Sequence, residues 1–324
     1  MRAVIAWILF GLAASAGRPG SAGAPARPAR EVAVTFDDLP GVSVTRAGSP
    51  GDTAALVAMT SKLLRTLGDR HVPAVGFANT GKLGPAGSPA PERLAVLRSW
   101  RAAGLELGNH TFSHPDLHRA GLSAFERDVE LGEPDLRALL AETGGRLRWF
   151  RHPFLHTGLS LDDKLALEGF LAGRGYRIAP VTFDNSEWIF ARAYANALDS
   201  SSRALAGRVA AAYVPYMEAK FEYFERQSVA FFGREIRQIL LVHANSLNAD
   251  HFDEILAMLA RRGYSLVTLD RALEDSAYAT PDKYIANNGV TWLHRWVLSA
   301  GGRVLPGEPK TPSFVLAAAG VASE

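Results

Sequence analysis

Two adjacent carboxylates, Asp37 and Asp38, follow the apolar run Val-Ala-Val-Thr-Phe, and two imidazoles, His110 and His114, follow Leu-Glu-Leu-Gly-Asn. A third imidazole, His243, closes Ile-Leu-Leu-Val. Histidine and carboxylate together can ligate a divalent cation, and a His₂-carboxylate set leaves positions open for water and substrate. The chain has no cysteine, so a metal site here must use imidazole and carboxylate rather than thiolate. The spacing His-x-x-x-His brings two rings close if the backbone turns. Pro115 disfavours helical geometry at His114, so an irregular turn is expected there. On a strand, consecutive side chains point to opposite faces. A turn at Leu39-Pro40 would let one of the two aspartates bind metal while the other stands free as a base. An isolated Asp-Asp pair reads as a solvated loop or helix cap, and an isolated HxxxH arises by chance. Together at strand ends they read as a hydrolytic centre. His118 has no strand end behind it and is expected to be a loop histidine.

The elements that must position these groups follow from periodicity. Seven runs rich in β-branched and aromatic residues recur at 31–36, 72–78, 105–109, 147–151, 176–183, 238–242 and 264–269, most followed by helical spacing. Leu56, Met59, Leu63, Leu64 and Leu67 form one apolar helical face, and Leu94, Leu97 and Trp100 another. Alternating strands and helices imply a parallel sheet. The pattern predicts an α/β fold, a regular or distorted (β/α)7-type barrel, as a single catalytic domain over 31–275. An open doubly wound sheet is the rival, but no GxGxxG follows the first strand. Barrel sites form where the loops after the strands converge. That places Asp37, Asp38, His110, His114, Arg151, Asp184 and His243 around one mouth. A helical insertion at about 189–237 carries aromatics at helical spacing and is expected to pack on the barrel rather than form a lid or dimer surface. The extension 276–324 is expected to wrap the domain and then fray.

Five stretches carry a resemblance. Thr-Phe-Asp-Asp (35–38), His-Thr-Phe-Ser-His (110–114), Arg-His-Pro-Phe (151–154), Asp-Asn-Ser-Glu-Trp (184–188) and Leu-Val-His (241–243) resemble, in order, the motifs of the NodB-homology polysaccharide deacetylases, carbohydrate esterase family 4. The resemblance implies the distorted form of the barrel and a divalent metal, commonly zinc, held by Asp38, His110 and His114. It also implies Asp37 as base, His243 as acid, and Arg151 and Asp184 orienting those two, with Glu187 an alternative to Asp184. Pro153, Phe154 and Trp188 are then expected against the sugar, although Phe154 and Trp188 fit core packing equally well. The implied activity is hydrolytic removal of acetyl groups from N-acetylated sugars of a peptidoglycan- or chitin-like polymer. An O-acetyl esterase, a small-amide hydrolase and a non-catalytic carbohydrate-binding barrel are the alternatives. Leu39-Pro40 stands where the family usually has Gly-Pro and is expected to add bulk at the mouth.

Composition bounds the rest. Of 324 residues 48% are apolar, enough for a sizeable core, and the formal net charge is only +2 with both signs well mixed. Nothing calls for nucleic acid as a partner, and an acetylated glycan is the expected one. Arg2, a short apolar run and Ala14-Ser15-Ala16 read as a signal peptide over 1–16, followed by a flexible linker over 17–30. The apolar run is too short for a stable membrane span. The chain is therefore expected to be exported, to the periplasm or beyond.

Overall fold

A computed structural model describes residues 30–44 and 53–324. The signal-peptide expectation and nearly all of the linker lie outside the described residues. Arg30, assigned to the linker, instead opens the first strand and pairs with Glu225 and Glu235.

All seven expected strands form, and every pairing is parallel: β1 (Arg30–Leu39), β2 (Val75–Ala78), β3 (Glu106–Asn109), β4 (Trp149–Phe150), β5 (Arg177–Ile178), β6 (Gln238–His243) and β7 (Tyr264–Leu266). Their order is β5-β4-β3-β2-β1-β6, with β7 pairing the start of β1. The expected strand at 176–183 breaks after Ile178. Pro180 has no N–H to give a ladder, and only Phe183 resumes pairing, as a single parallel bridge to Leu240. The sheet therefore curls into a distorted barrel joined across one side by few bonds.

The alternation of side chains along each strand explains the two cores. Ala33, Val75, Phe77, Trp149, Ala179 and Ile239 pack together inside the curl. Val32, Val34 and Phe36 point the other way, into the larger core shared with the surrounding helices. The helix Thr53–Asp69 buries Leu56, Met59, Leu63 and Leu67, one face at helical spacing.

The insertion is a helical pair, Glu187–Asp199 and Arg203–Phe232, whose Tyr213, Tyr216, Phe221, Tyr223 and Phe224 are buried. The extension wraps the domain, but its end is held rather than frayed. It carries the helices Trp292–Ser299 and Ser313–Ala319, and Glu324 accepts hydrogen bonds from Ser186 and Thr311. Its anchors are scattered: Trp292 N–H donates to Val181 O at 2.7 Å, and Arg295 holds Asp282 and Thr157. Gly289 lies so close to the barrel that a Cβ there would sit 1.8 Å from Phe154 O.

Candidate active site

The inward column Ala33, Thr35, Asp37 ends at the mouth of the barrel, so Asp37 is placed by strand alternation alone. Its register partner across β6 is His243. Arg151, just beyond β4 and fully buried, fixes Asp37 from below. Its Nη1 lies 3.2 Å from both Asp37 oxygens, Nη2 donates to Thr35 Oγ1 and Nε to Ala179 O. Burial raises the Asp37 carboxyl above its usual range, and Arg151 and His243 oppose that rise without cancelling it.

Asp38 should point away from Asp37, but its φ of +68° turns the chain and brings its carboxylate to the same mouth. Asp38 Oδ1 is buried without a hydrogen bond. Its neighbours are Lys82 Nζ at 3.4 Å, His114 Nε2 at 3.7 Å and His110 Nε2 at 3.9 Å. Burial works against the Asp38 charge, but Lys82 and the three imidazoles outweigh it and hold the carboxyl well below the carboxylate range. His114 adopts a φ of +59°, the irregular turn expected before Pro115. Burial lowers both His110 and His114 to about 4, so their ring lone pairs are free at neutral pH. His110 Nδ1–H donates to Arg151 O at 2.8 Å, which turns Nε2 toward Asp38.

These three ligand atoms fit a cation. All three lie within 4.8 Å of one another, and ligands about 2.1 Å from a tetrahedral centre stand about 3.4 Å apart.

His243 rests on a carboxylate, and that carboxylate is Glu187 rather than Asp184. Its Nδ1–H donates to Glu187 Oε2 at 2.8 Å, while Asn245 and Asn248 donate to Glu187 Oε1. Asp184 lies in the pocket wall, and its Oδ1 accepts from Asn185 N. The reason is local: Glu187 starts the insertion helix and is fully buried against the β6 loop, whereas Asp184 ends the bridging segment. Burial opposes charge on His243, but Glu187, Asp38 and Asp37 outweigh it and raise the imidazole to about 9.

Asp37, Asp38, His110, His114, Asp184 and His243 line a pocket of about 700 Å³. Phe154 and Trp188 are 53% and 41% exposed and form part of its wall, which decides against core packing for both. Pro153 is buried at the start of a short turn and is not in the wall. The insertion contributes Arg192 and Lys220, and the extension contributes Thr291, His294, Glu308 and Lys310. His152 lies inside the 151–154 stretch but had no expected role, and Lys82 and these extension residues close no strand.

His118 stacks on His156 at 3.9 Å, beside Asp116. Its Nδ1 faces Asn287 O and its Nε2 accepts from Gly158 N, both at 3.3 Å, while Asp116 caps the helix Leu117–Ala120 and holds His156. This second His/Asp group fastens loops together.

The sequence profile described as polysaccharide deacetylase matches residues 24–168, the part that carries Asp37, Asp38, His110, His114 and Arg151. That stretch, under half of the chain, is similar to polysaccharide deacetylases. Proteins similar to this chain include a chitin deacetylase of Colletotrichum lindemuthianum, 29% identical over 185 residues, 56% of this chain and 68% of that protein. A chitooligosaccharide deacetylase of Sinorhizobium fredii is 30% identical over 129 residues, 40% of this chain and about half (53%) of the relative. Among solved structures, a mutant of a CE4 family pseudoenzyme, whose wild type is from Bacillus anthracis, superposes with a TM-score of 0.50 at 16% identity, covering 76% of this chain and 68% of its own. That likeness concerns the barrel alone. Among the described residues no helix is long and apolar enough to cross a membrane.

Proposed function

We propose that the protein is an exported, metal-dependent deacetylase of N-acetylated sugars, with Asp38, His110 and His114 as the ligands of a divalent cation, zinc first among the candidates. The observation that carries this reading is the convergence of one orphaned carboxylate oxygen and two neutral imidazole nitrogens beside a buried aspartate and a charged histidine. The names of the two curated relatives support an acetylated glycan as substrate.

A cation bound there would supply Lewis acidity to the acetyl carbonyl and acidify a water. Asp37, raised by burial yet anchored by Arg151, accepts a proton from the attacking water on its carboxylate. His243 holds Nδ1–H against Glu187, so the proton it can deliver is on Nε2. It gives that proton to the sugar nitrogen as the C–N bond breaks, since an amide does not readily expel an unprotonated amine. Acetate and the free amino sugar result. Phe154 and Trp188 offer apolar faces to a sugar ring.

A non-catalytic barrel is the rival that the pseudoenzyme neighbour brings to mind, because fold does not fix activity. The presence of all the reactive groups favours catalysis. Acetate release from an N-acetylglucosamine oligomer, acetylated xylan and a small N-acetyl amide, each with and without a chelator, tests the reading. The oligomer is expected to be hydrolysed and chelation to stop it. Hydrolysis that survives complete metal removal refutes the scheme, and faster turnover of xylan would move the substrate to O-acetyl esters.

A further inference from the structure

His152 lies between the anchor Arg151 and the turn that presents Phe154. It is 1% exposed, yet it forms part of the pocket wall. Neither of its ring nitrogens has a hydrogen-bond partner. The ring stands edge-on to Phe150 at 5.1 Å and tilts toward Trp292 at 6.2 Å, so its fixed neighbours are aromatic faces. Burial, reinforced by Arg295 and Lys164, lowers the imidazole to about 3 and keeps it neutral. A neutral imidazole carries one donor and one acceptor, and leaving them buried and unpaired is costly. A phenylalanine would fill the same space without that cost. The other wall groups nearby are already engaged: Thr291 Oγ1 caps the helix Trp292–Ser299 and His294 Nε2 meets Tyr223 OH.

We propose that His152 is a recognition residue whose imidazole hydrogen-bonds a hydroxyl of the sugar bound in the pocket, making the site selective for hydroxyl-bearing rings over small amides. This rests on the carbohydrate reading of the same pocket. A site that hydrogen-bonds a hydroxyl discriminates strongly against ligands lacking it, because its own polar group is then left unpaired. The extension stands beside this group, since the Trp292 ring lies 6.2 Å from His152 and Thr291 is in the pocket wall.

The test compares His152→Phe and His152→Gln with the wild type, all zinc-loaded full chains, by calorimetric binding of tri-N-acetylchitotriose, by kinetics on the same sugar and by thermal unfolding. Loss of one hydrogen bond should weaken binding about five- to tenfold, with the kinetic loss falling on KM more than on kcat. Glutamine, which keeps a donor and an acceptor, should restore part of it. Thermal stability of His152→Phe should be equal to or above the wild type. Unchanged sugar affinity with lowered stability would mean that the imidazole serves the fold through a buried water, and overturns the inference alone. A wild type that binds no acetylated sugar overturns the carbohydrate reading and this inference with it.

Discussion

Glu187→Gln isolates the acid. In the wild type His243 is raised to about 9, with Glu187 the largest contributor to the rise against burial. The substituted amide can still accept from Asn245 and Asn248 on its oxygen, so the packing survives. Its NH₂ group then faces His243 Nδ1 with a donor, which favours the neutral ring protonated on Nε2. Asp37 and Asp38 remain, so the fall should be about 1–2 pKa units, and each unit is about 1.4 kcal/mol between protonation states. Taking a fall of about 2 units to about 7, the charged fraction at pH 8 drops from about nine-tenths to about one-tenth. The expected result is roughly tenfold lower kcat at pH 8 and less than about twofold at pH 6, read from a pH–kcat profile on an N-acetylglucosamine oligomer. The stability sign agrees. A raised imidazole contributes stability that is complete below its ordinary value near 6.5 and is lost as pH rises through about 9. The variant should therefore flatten the wild type's fall in thermal stability across that window. An alkaline limb that stays in place, or an equal loss of activity at every pH, would remove Glu187 from this role.

Asp37→Asn should keep the cation, since Asp38, His110 and His114 are untouched, yet lose about 10²-fold or more in kcat; His110→Ala should instead lose the metal itself. Metal analysis of the two purified variants beside their rates separates base from ligand, and substantial activity in Asp37→Asn would rule out the base role. Gly289→Ala forces a Cβ against Phe154 O and should cost about 1–3 kcal/mol through overpacking, lowering the unfolding temperature and raising KM for the sugar. An unchanged KM would mean that the extension is only a brace.

The strand ends were legible because hydrophobic runs closing on ionisable residues mark both element and mouth at once. Asp37, Asp38, His110, His114 and His243 all came from that signal. The choice between Asp184 and Glu187 was not legible. Both lie in a short polar stretch, and which one meets His243 depends on where the insertion helix starts. The fifth strand was read too long because an apolar run does not reveal whether its residues pair; Pro180 was the available signal. The firm docking of the extension's end was not legible for a different reason. The extension is held by single carbonyls, Arg295 and a close glycine contact rather than by an amphipathic stripe, so its docking leaves no period in the sequence.

The central place of β1 bears on how the protein is made. Its neighbours are β2 nearby in sequence, but also β6 at 238–243 and β7 at 264–266. Asp37 is thus synthesised early and can meet His243 only when most of the chain has emerged. Such distant pairings fold slowly, and no disulfide is available to hold a half-built barrel. The proton-transferring pair is therefore expected to be the last part of the site to assemble, after the His110–His114 turn. If the chain is exported, as proposed, that order would keep the complete site from forming until translocation is nearly over.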